Sequence, residues 1–255
     1  MTKRFYHIGF GPQDLGDTLP EYVLLSGAPE RSQYMAEEYC TTSRCLSRNR
    51  GLASFIGQLA TGQSILFATS GMGAPSLSIV VNELFSLGFR KIIRVGTCGS
   101  IQPHIPIGDV VISQGALCRQ GAALDIAPPE YPAVADPFLT VALVTAAKRE
   151  RIPLHLGITA SVDSFYEGQE RADSSANPSL QRWLQGITQE YQQLNILNYE
   201  MEVGTLFKMA CVYGFQAAGV CGVVAARNAH EDIDPYGKIE AENNAIRVAI
   251  TAISS

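Results

Sequence analysis

Arg94 directly follows the apolar pair Ile92-Ile93, and two glycines and a threonine come within five residues of it: Arg94-Val95-Gly96-Thr97-Cys98-Gly99-Ser100. An unpaired cation at the end of a sheet strand loses its hydration, so its presence there calls for an anion. A guanidinium is a planar fork of donors matched to phosphate or carboxylate. Gly96 and Gly99 let backbone N–H groups approach the same ligand. The run 94–109 therefore reads as an oxyanion pocket at a strand end. The bland alternative for Arg94 is a buried structural ion pair, with Glu83 as its partner. Cys98 lies inside the run, but nothing beside it resembles a general base, and a buried free thiol is the stronger reading.

Three further stretches carry chemistry. In Gly27-Ala28-Pro29-Glu30-Arg31 a strand ends, a glycine turns the chain and a helix begins, which is a setting for anions. Arg31 in the first helical turn opposes the helix dipole unless an anion is bound or a surface carboxylate pairs with it. Two arginines at two strand ends favour phosphate. In Phe165-Tyr166-Glu167-Gly168-Gln169-Glu170-Arg171, Gln169 offers a donor and an acceptor and Arg171 donors only. Such a pair can read a heterocycle with two carbonyls and an N–H while Phe165 stacks on its face. On composition alone an ordinary surface loop fits as well. In Asn198-Tyr199-Glu200-Met201-Glu202 two carboxylates two residues apart share a face if the segment is extended. They can act as an acid/base pair, a cation site or acceptors for a diol; in a helix they would be solvated surface acids.

The composition narrows the classes. The chain has 255 residues, 46% of them hydrophobic, enough for a large core and for apolar surface buried in an oligomer. A net charge of −5 without a basic stripe excludes a nucleic-acid partner. No run of about twenty apolar residues suits a membrane span, and residues 1–6 lack a signal-peptide core, so a cytoplasmic protein is expected. The six cysteines form no CxxC pair and none has a histidine at metal-ligand spacing, so no metal is expected. Gly71-Met72-Gly73-Ala74-Pro75 is half of a dinucleotide fingerprint without its third glycine, and no phosphate-loop, nucleophile-elbow or HExxH motif occurs.

Strand-like and helix-like segments alternate. Strands are predicted over 5–9, 22–26, 91–95, 109–116, 155–160 and 216–225, with a hairpin of 52–59 and 64–70 around Thr61-Gly62. Helices are predicted over 29–39, 74–87, 137–151, 178–193, 203–213 and 238–253. No repeat or linker interrupts them. The expectation is a single α/β domain over 1–255 with a central mixed sheet flanked by helices. Residues 119–137 and 165–178 are the long irregular stretches, and the acidic segment 229–237 reads as a solvated loop or a lid.

With these residues in view, the chain resembles the hexameric nucleoside phosphorylases, almost end to end. The densest matches are 70–76, 94–109, 133–136, 165–171 and 198–202. Gln169 and Arg171, and the absence of an acid in Val223-Val224-Ala225-Ala226-Arg227, point to the pyrimidine branch. The resemblance implies a nucleoside phosphorylase-like fold and the cleavage of uridine by inorganic phosphate to uracil and ribose 1-phosphate, with no cofactor. It implies a hexamer built as a trimer of dimers, with active sites shared across each dimer. By position it makes Gly27, Arg31, Arg94 and Thr97 phosphate ligands, joined by Arg50 from the neighbouring subunit. Glu200, Met201 and Glu202 form the ribose bed, with the neighbour's His7 on the 5′-hydroxyl. Phe165, Gln169 and Arg171 form the base pocket, Gly99 lines it and Arg227 lies at its edge. Arg94, Thr97, Gln169 and Arg171 are the residues expected to act on the reacting groups.

Two positions depart from the family pattern. Ala28 replaces the usual aspartate beside the phosphate site, and Gly51 replaces a glutamate of a monovalent-cation site. The alternatives left open are a phosphorylase shifted toward deoxyuridine, thymidine or purine nucleosides, a hydrolytic nucleosidase, and a nucleoside-binding paralogue without turnover. Three arginines argue against the hydrolase, since water needs no anion cradle.

Overall fold

The computed structural model describes residues 4–227, 231–232 and 235–254. Among them the chain forms ten strands: β1 (Tyr22–Ser26), β2 (Cys40–Ser47), β3 (Ser54–Leu59), β4 (Ser64–Thr69), β5 (Lys91–Ser100), β6 (Val110–Arg119), β7 (Leu154–Val162), β8 (Ile196–Glu200), β9 (Gln216–Arg227) and β10 (Glu231–Asp232). The α-helices are α1 (Pro29–Tyr39), α2 (Ala74–Ser86), α3 (Gly121–Leu124), α4 (Pro137–Arg149), α5 (Ile187–Gln193), α6 (Val203–Tyr213) and α7 (Pro235–Ile253). The expected α/β class with a mixed central sheet is what the chain adopts.

The sheet runs in the order β10-β9-β6-β7-β8-β5-β1-β4-β3-β2, and β9 also pairs with β5. Strands β5, β8, β7, β6 and β9 thus close into a ring, and β1, β4, β3 and β2 extend from it. The parallel β1 is apolar on both faces because both faces are covered. Met35, Leu143 and Ala245 of α1, α4 and α7 pack on one side with Leu24 and Ile93. Leu77, Val80 and Leu206 of α2 and α6 pack on the other with Val23 and Leu25. Within the ring, Ser113 Oγ lies 2.6 Å from Thr159 Oγ1, which donates to Asn198 Oδ1 at 2.9 Å, stitching β6, β7 and β8. No helix among the described residues is long and apolar enough to cross a membrane.

Four local expectations need correction. Residues 5–9 are a turn closed by Gly9 N–H donating to Phe5 O at 3.0 Å, with Gly9 at φ +75. The helix expected over 178–193 is broken by Gly186 at φ +78, which leaves a 3-10 turn, Arg182–Leu184, before α5. Strand β2 was unanticipated: CTTSRCLS is polar and mostly exposed, and only pairing with β3 makes it a strand. Strand β5 does not stop at Val95 but runs to Ser100, because β9 pairs with it as far as Ser100↔Ala226. The segment 229–237 lies largely outside the described residues.

Candidate active site

Because β5 continues, Arg94 lies within the strand rather than at its end, between Leu25 of β1 and Gly219 of β9. It is 4% exposed. Its partner is not Glu83. Nη2 donates to Glu202 Oε2, and Nε lies 3.5 Å from Glu200 Oε2. Burial works against the Arg94 charge, but Glu202 and then Glu200 outweigh it and hold its pKa above the ordinary value. The buried ion-pair reading of Arg94 is therefore correct as far as it goes. It is incomplete, because Nη1 is buried without a hydrogen-bond partner, and both terminal nitrogens lie 3.8 Å from where a side chain at Gly27 would begin.

The two carboxylates reach Arg94 from the junction of β8 and α6: the segment 198–202 is strand only as far as Glu200, and Glu202, at ψ −32, is the N-cap of α6. Glu200 accepts from the N–H groups of Glu202 (2.8 Å) and Val203 (2.9 Å), a favourable place for an anion at the start of α6. Ser161 of β7 donates to Glu200, and Glu202 Oε1 accepts from Gly73 N–H at 2.6 Å. Met201 is held through its carbonyl by the amide of Gln120, whose Oε1 accepts from Thr205 N–H at 2.9 Å. Burial, then the Glu202 charge, push the Glu200 carboxyl above the usual glutamate value, while Arg94 pulls it down.

Arg31 is the third residue of α1, in its first turn. Nη2 lies 3.2 Å from Glu242 of α7, Nη1 approaches Val95 O at 3.5 Å, and Nε is buried without a hydrogen-bond partner. Ala28 is the N-cap of α1 and supplies no side-chain cap. Thr97 lies three residues beyond Arg94 on β5, opposite Gly222.

A second group assembles near Gly99. Arg171 Nε lies 3.3 Å from Gln169 Oε1, and its guanidinium is 4.2 Å from the Phe165 ring centroid. Arg227 Nη2 donates to Gln169 O at 2.6 Å. Gly99 lies close to this group: a Cβ there would meet Arg227 Cδ at 3.1 Å, so that side chain would have to shift. Gln169 is buried, not a surface-loop residue.

His7 and Arg50 have their contacts elsewhere. His7 Nδ1 lies 2.7 Å from Glu83 Oε1, Asn49 donates to the carbonyls of Tyr6 and His7, and Arg50 lies over the Tyr6 ring at 5.6 Å. The two thus share a partly exposed surface. Cys98 is buried, and that burial pushes its thiol up, away from the thiolate. Ser161 and Gln120, which hold the carboxylate segment, escaped the sequence reading because they come from β7 and from the end of β6 with no spacing signal to Glu200.

Arg94→Met removes the cation and keeps much of the volume. Leaving two buried carboxylates uncompensated is expected to cost about 3–5 kcal/mol of stability. The loss depends on pH. The folded Glu200 value lies above 4.5, so this group favours the fold most below 4.5, and that contribution is lost as pH rises through the folded value. Without Arg94 that value moves higher, so denaturant titrations are expected to show the deficit widening from acid toward neutral pH. A deficit independent of pH would contradict the coupling.

The family model described as the phosphorylase superfamily matches residues 21–254. A uridine phosphorylase of Haemophilus influenzae is 41% identical over 230 residues, 90% of each chain. A uridine phosphorylase of Escherichia coli is 37% identical over 248 residues, 97% of this chain and 96% of that one. A guanosine phosphorylase of Halorubrum lacusprofundi is 30% identical over 243 residues, 92% of this chain and 93% of that one. With a family model spanning nearly the whole chain and relatives at these identities, this chain belongs to the phosphorylase superfamily.

Proposed function

We propose that this chain cleaves uridine with inorganic phosphate, releasing uracil and ribose 1-phosphate in pyrimidine nucleoside salvage. The observation that carries the reading is the buried Arg94, held by two carboxylates on one side and keeping Nη1 without a partner on the side of Gly27. A guanidinium so divided can hold phosphate and position sugar-binding carboxylates at once. The relatives named uridine phosphorylase supply the substrate.

In this reading phosphate lies against Gly27, Arg31, Arg94 and Thr97. Glu200, Met201 and Glu202 seat the ribose, with Glu202 accepting from its hydroxyls. Gln169 and Arg171 donate to the uracil carbonyls, Phe165 stacks on the ring, and Gly99 and Arg227 close the pocket. The C1′–N1 bond breaks with its electron pair going to uracil, through an oxocarbenium-like state. The phosphate charge stabilises that cation, and a phosphate oxygen forms the new bond to C1′. Donors on the uracil oxygens stabilise the leaving anion, which then takes a proton from solvent. Holding the two reactants in line supplies much of the rate. Ala28 leaves the start of α1 without a side-chain cap, and the carboxylate that meets Arg31 is Glu242 of α7.

Arg50 and His7 act in this reading from a neighbouring subunit of a cytoplasmic hexamer, each completing the other's site. Their shared surface supports this, as does the exposure of Tyr6, 73% open beneath Arg50.

Two measurements test the reading. Uracil release from uridine is expected to require phosphate, with inosine cleaved far more slowly. Equal release without phosphate would indicate hydrolysis, and no turnover would indicate a binding paralogue. For the shared site, inactive Arg94→Met and Arg50→Ala chains are mixed and reassembled. Each mixed dimer has one intact site, so roughly a quarter of wild-type activity is expected to return on random pairing. No recovery after subunit exchange would overturn the shared site.

A further inference from the structure

The base-reading segment contains a feature that contact with uracil does not explain. Glu170, between Gln169 and Arg171, adopts left-handed backbone angles, with φ +54. Such a conformation is uncommon for a residue with a side chain and persists where the surroundings impose it. Two sets of bonds do so. The Glu170 N–H donates to Glu167 O at 3.0 Å and closes a turn. The Glu170 carboxylate reaches away from the pocket to the start of α5, accepting from the N–H of Gly186 and, at 2.9 Å, from that of Thr188. A carboxylate on free N–H groups at a helix start forms a charge-assisted pair.

From Thr188 the contacts lead back to the base pocket. Thr188 Oγ1 lies 3.1 Å from the Tyr199 hydroxyl. The Arg227 guanidinium lies 5.3 Å from the Tyr199 ring centroid. Arg227 Nη2 donates to Gln169 O, and one peptide bond joins Gln169 to Glu170. Glu170, Thr188, Tyr199, Arg227 and Gln169 therefore form a closed circuit. Within the turn so anchored, Arg171 Nε lies 3.3 Å from Gln169 Oε1 while the Glu170 carboxylate meets the start of α5. Tyr199 immediately precedes Glu200 on β8, so the circuit also ties the base segment to the strand that carries the ribose carboxylates.

We propose that Glu170 is a positioning residue for base recognition: by anchoring a left-handed turn to α5 it sets where Gln169 and Arg171 point, without touching the substrate. This rests on reading residues 165–171 as the base pocket of a uridine-cleaving phosphorylase. None of the circuit's bonds involves Arg31 or Arg94, and the circuit meets the carboxylate strand only through the backbone of Tyr199, so its loss is expected to fall mainly on the base side. The test compares the wild-type chain with Glu170→Ala, Glu170→Gln and Tyr199→Phe, measuring kcat, KM for uridine at saturating phosphate, KM for phosphate at saturating uridine, and Tm. In Glu170→Ala the uridine KM is expected to rise roughly tenfold or more, as expected for misplaced binding groups. The phosphate KM is expected to stay within about twofold. Glu170→Gln, which keeps one acceptor, is expected to fall between. Tyr199→Phe opens the same circuit at another link, so it carries the test if Glu170→Ala does not fold, and it is expected to shift the uridine KM in the same direction. An unchanged uridine KM in the folded variants, or a phosphate KM rising in step, would overturn the proposal while leaving the uridine reading intact. A wild-type chain that releases no uracil in the presence of phosphate would overturn both.

Discussion

A guanidinium buried as deeply as Arg94 loses more hydration than one contact returns, and it is stable here because two carboxylates meet it. The rest of the site follows from that requirement. Glu202 takes Nη2 and a backbone N–H from Gly73, which fixes the glycine turn ahead of α2. Glu200 takes two N–H groups at the start of α6 and the Ser161 hydroxyl, which fixes the junction of β8 and α6. One cation and two acids leave an excess of negative charge. Burial and the neighbouring Glu202 relieve part of it by raising the Glu200 pKa.

The closed ring of strands is what brings these groups together. Arg94 is on β5 and Glu200 on β8, more than a hundred residues later in the chain, and β5 pairs with β8 only near Gly99 and Ser100. Pairing of β5 with β9 completes the ring and carries Arg227 to Gly99. Arg94 with Glu200 and Glu202, and Gln169 with Arg171 and Arg227, are thus groups assembled from separate segments of the chain. The irregular stretch 165–178 is ordered by carboxylates: Glu167 takes the hydroxyls of Ser164 and Ser175, and Glu170 takes the start of α5.

Much of this was legible in the sequence, and the failures have physical causes. The apolar helices and buried strands showed their periods, so α1 and α6 were placed to the residue. Residues 96–99 looked like a loop because glycine is a poor strand former. They form strand because a glycine- and alanine-rich β9 lies beside them and tertiary pairing overrides local preference. The partners of Arg94, Glu200 and Glu202, are not legible locally because a long-range ion pair leaves no trace in spacing. Glu83 was the nearer acid in sequence, but it is occupied by His7. Residues 165–171 were ambiguous on composition and were assigned by resemblance. Gln169 and Arg171 are buried while Phe165 and Tyr166 stay exposed, and the contacts from Arg227 and the start of α5 leave no local pattern. His7 and Arg50 carried no signal of their own beyond that resemblance.

In the proposed function Arg94 divides its charge between the sugar-side carboxylates and an anion on the side of Gly27. The most direct test is calorimetric titration of inorganic phosphate, without nucleoside, into the wild-type chain and into Glu202→Gln. Glutamine keeps an acceptor for Gly73 but removes one negative charge from Arg94. Tighter phosphate binding by the variant is the expected result. Equal or weaker binding would contradict the shared role of Arg94.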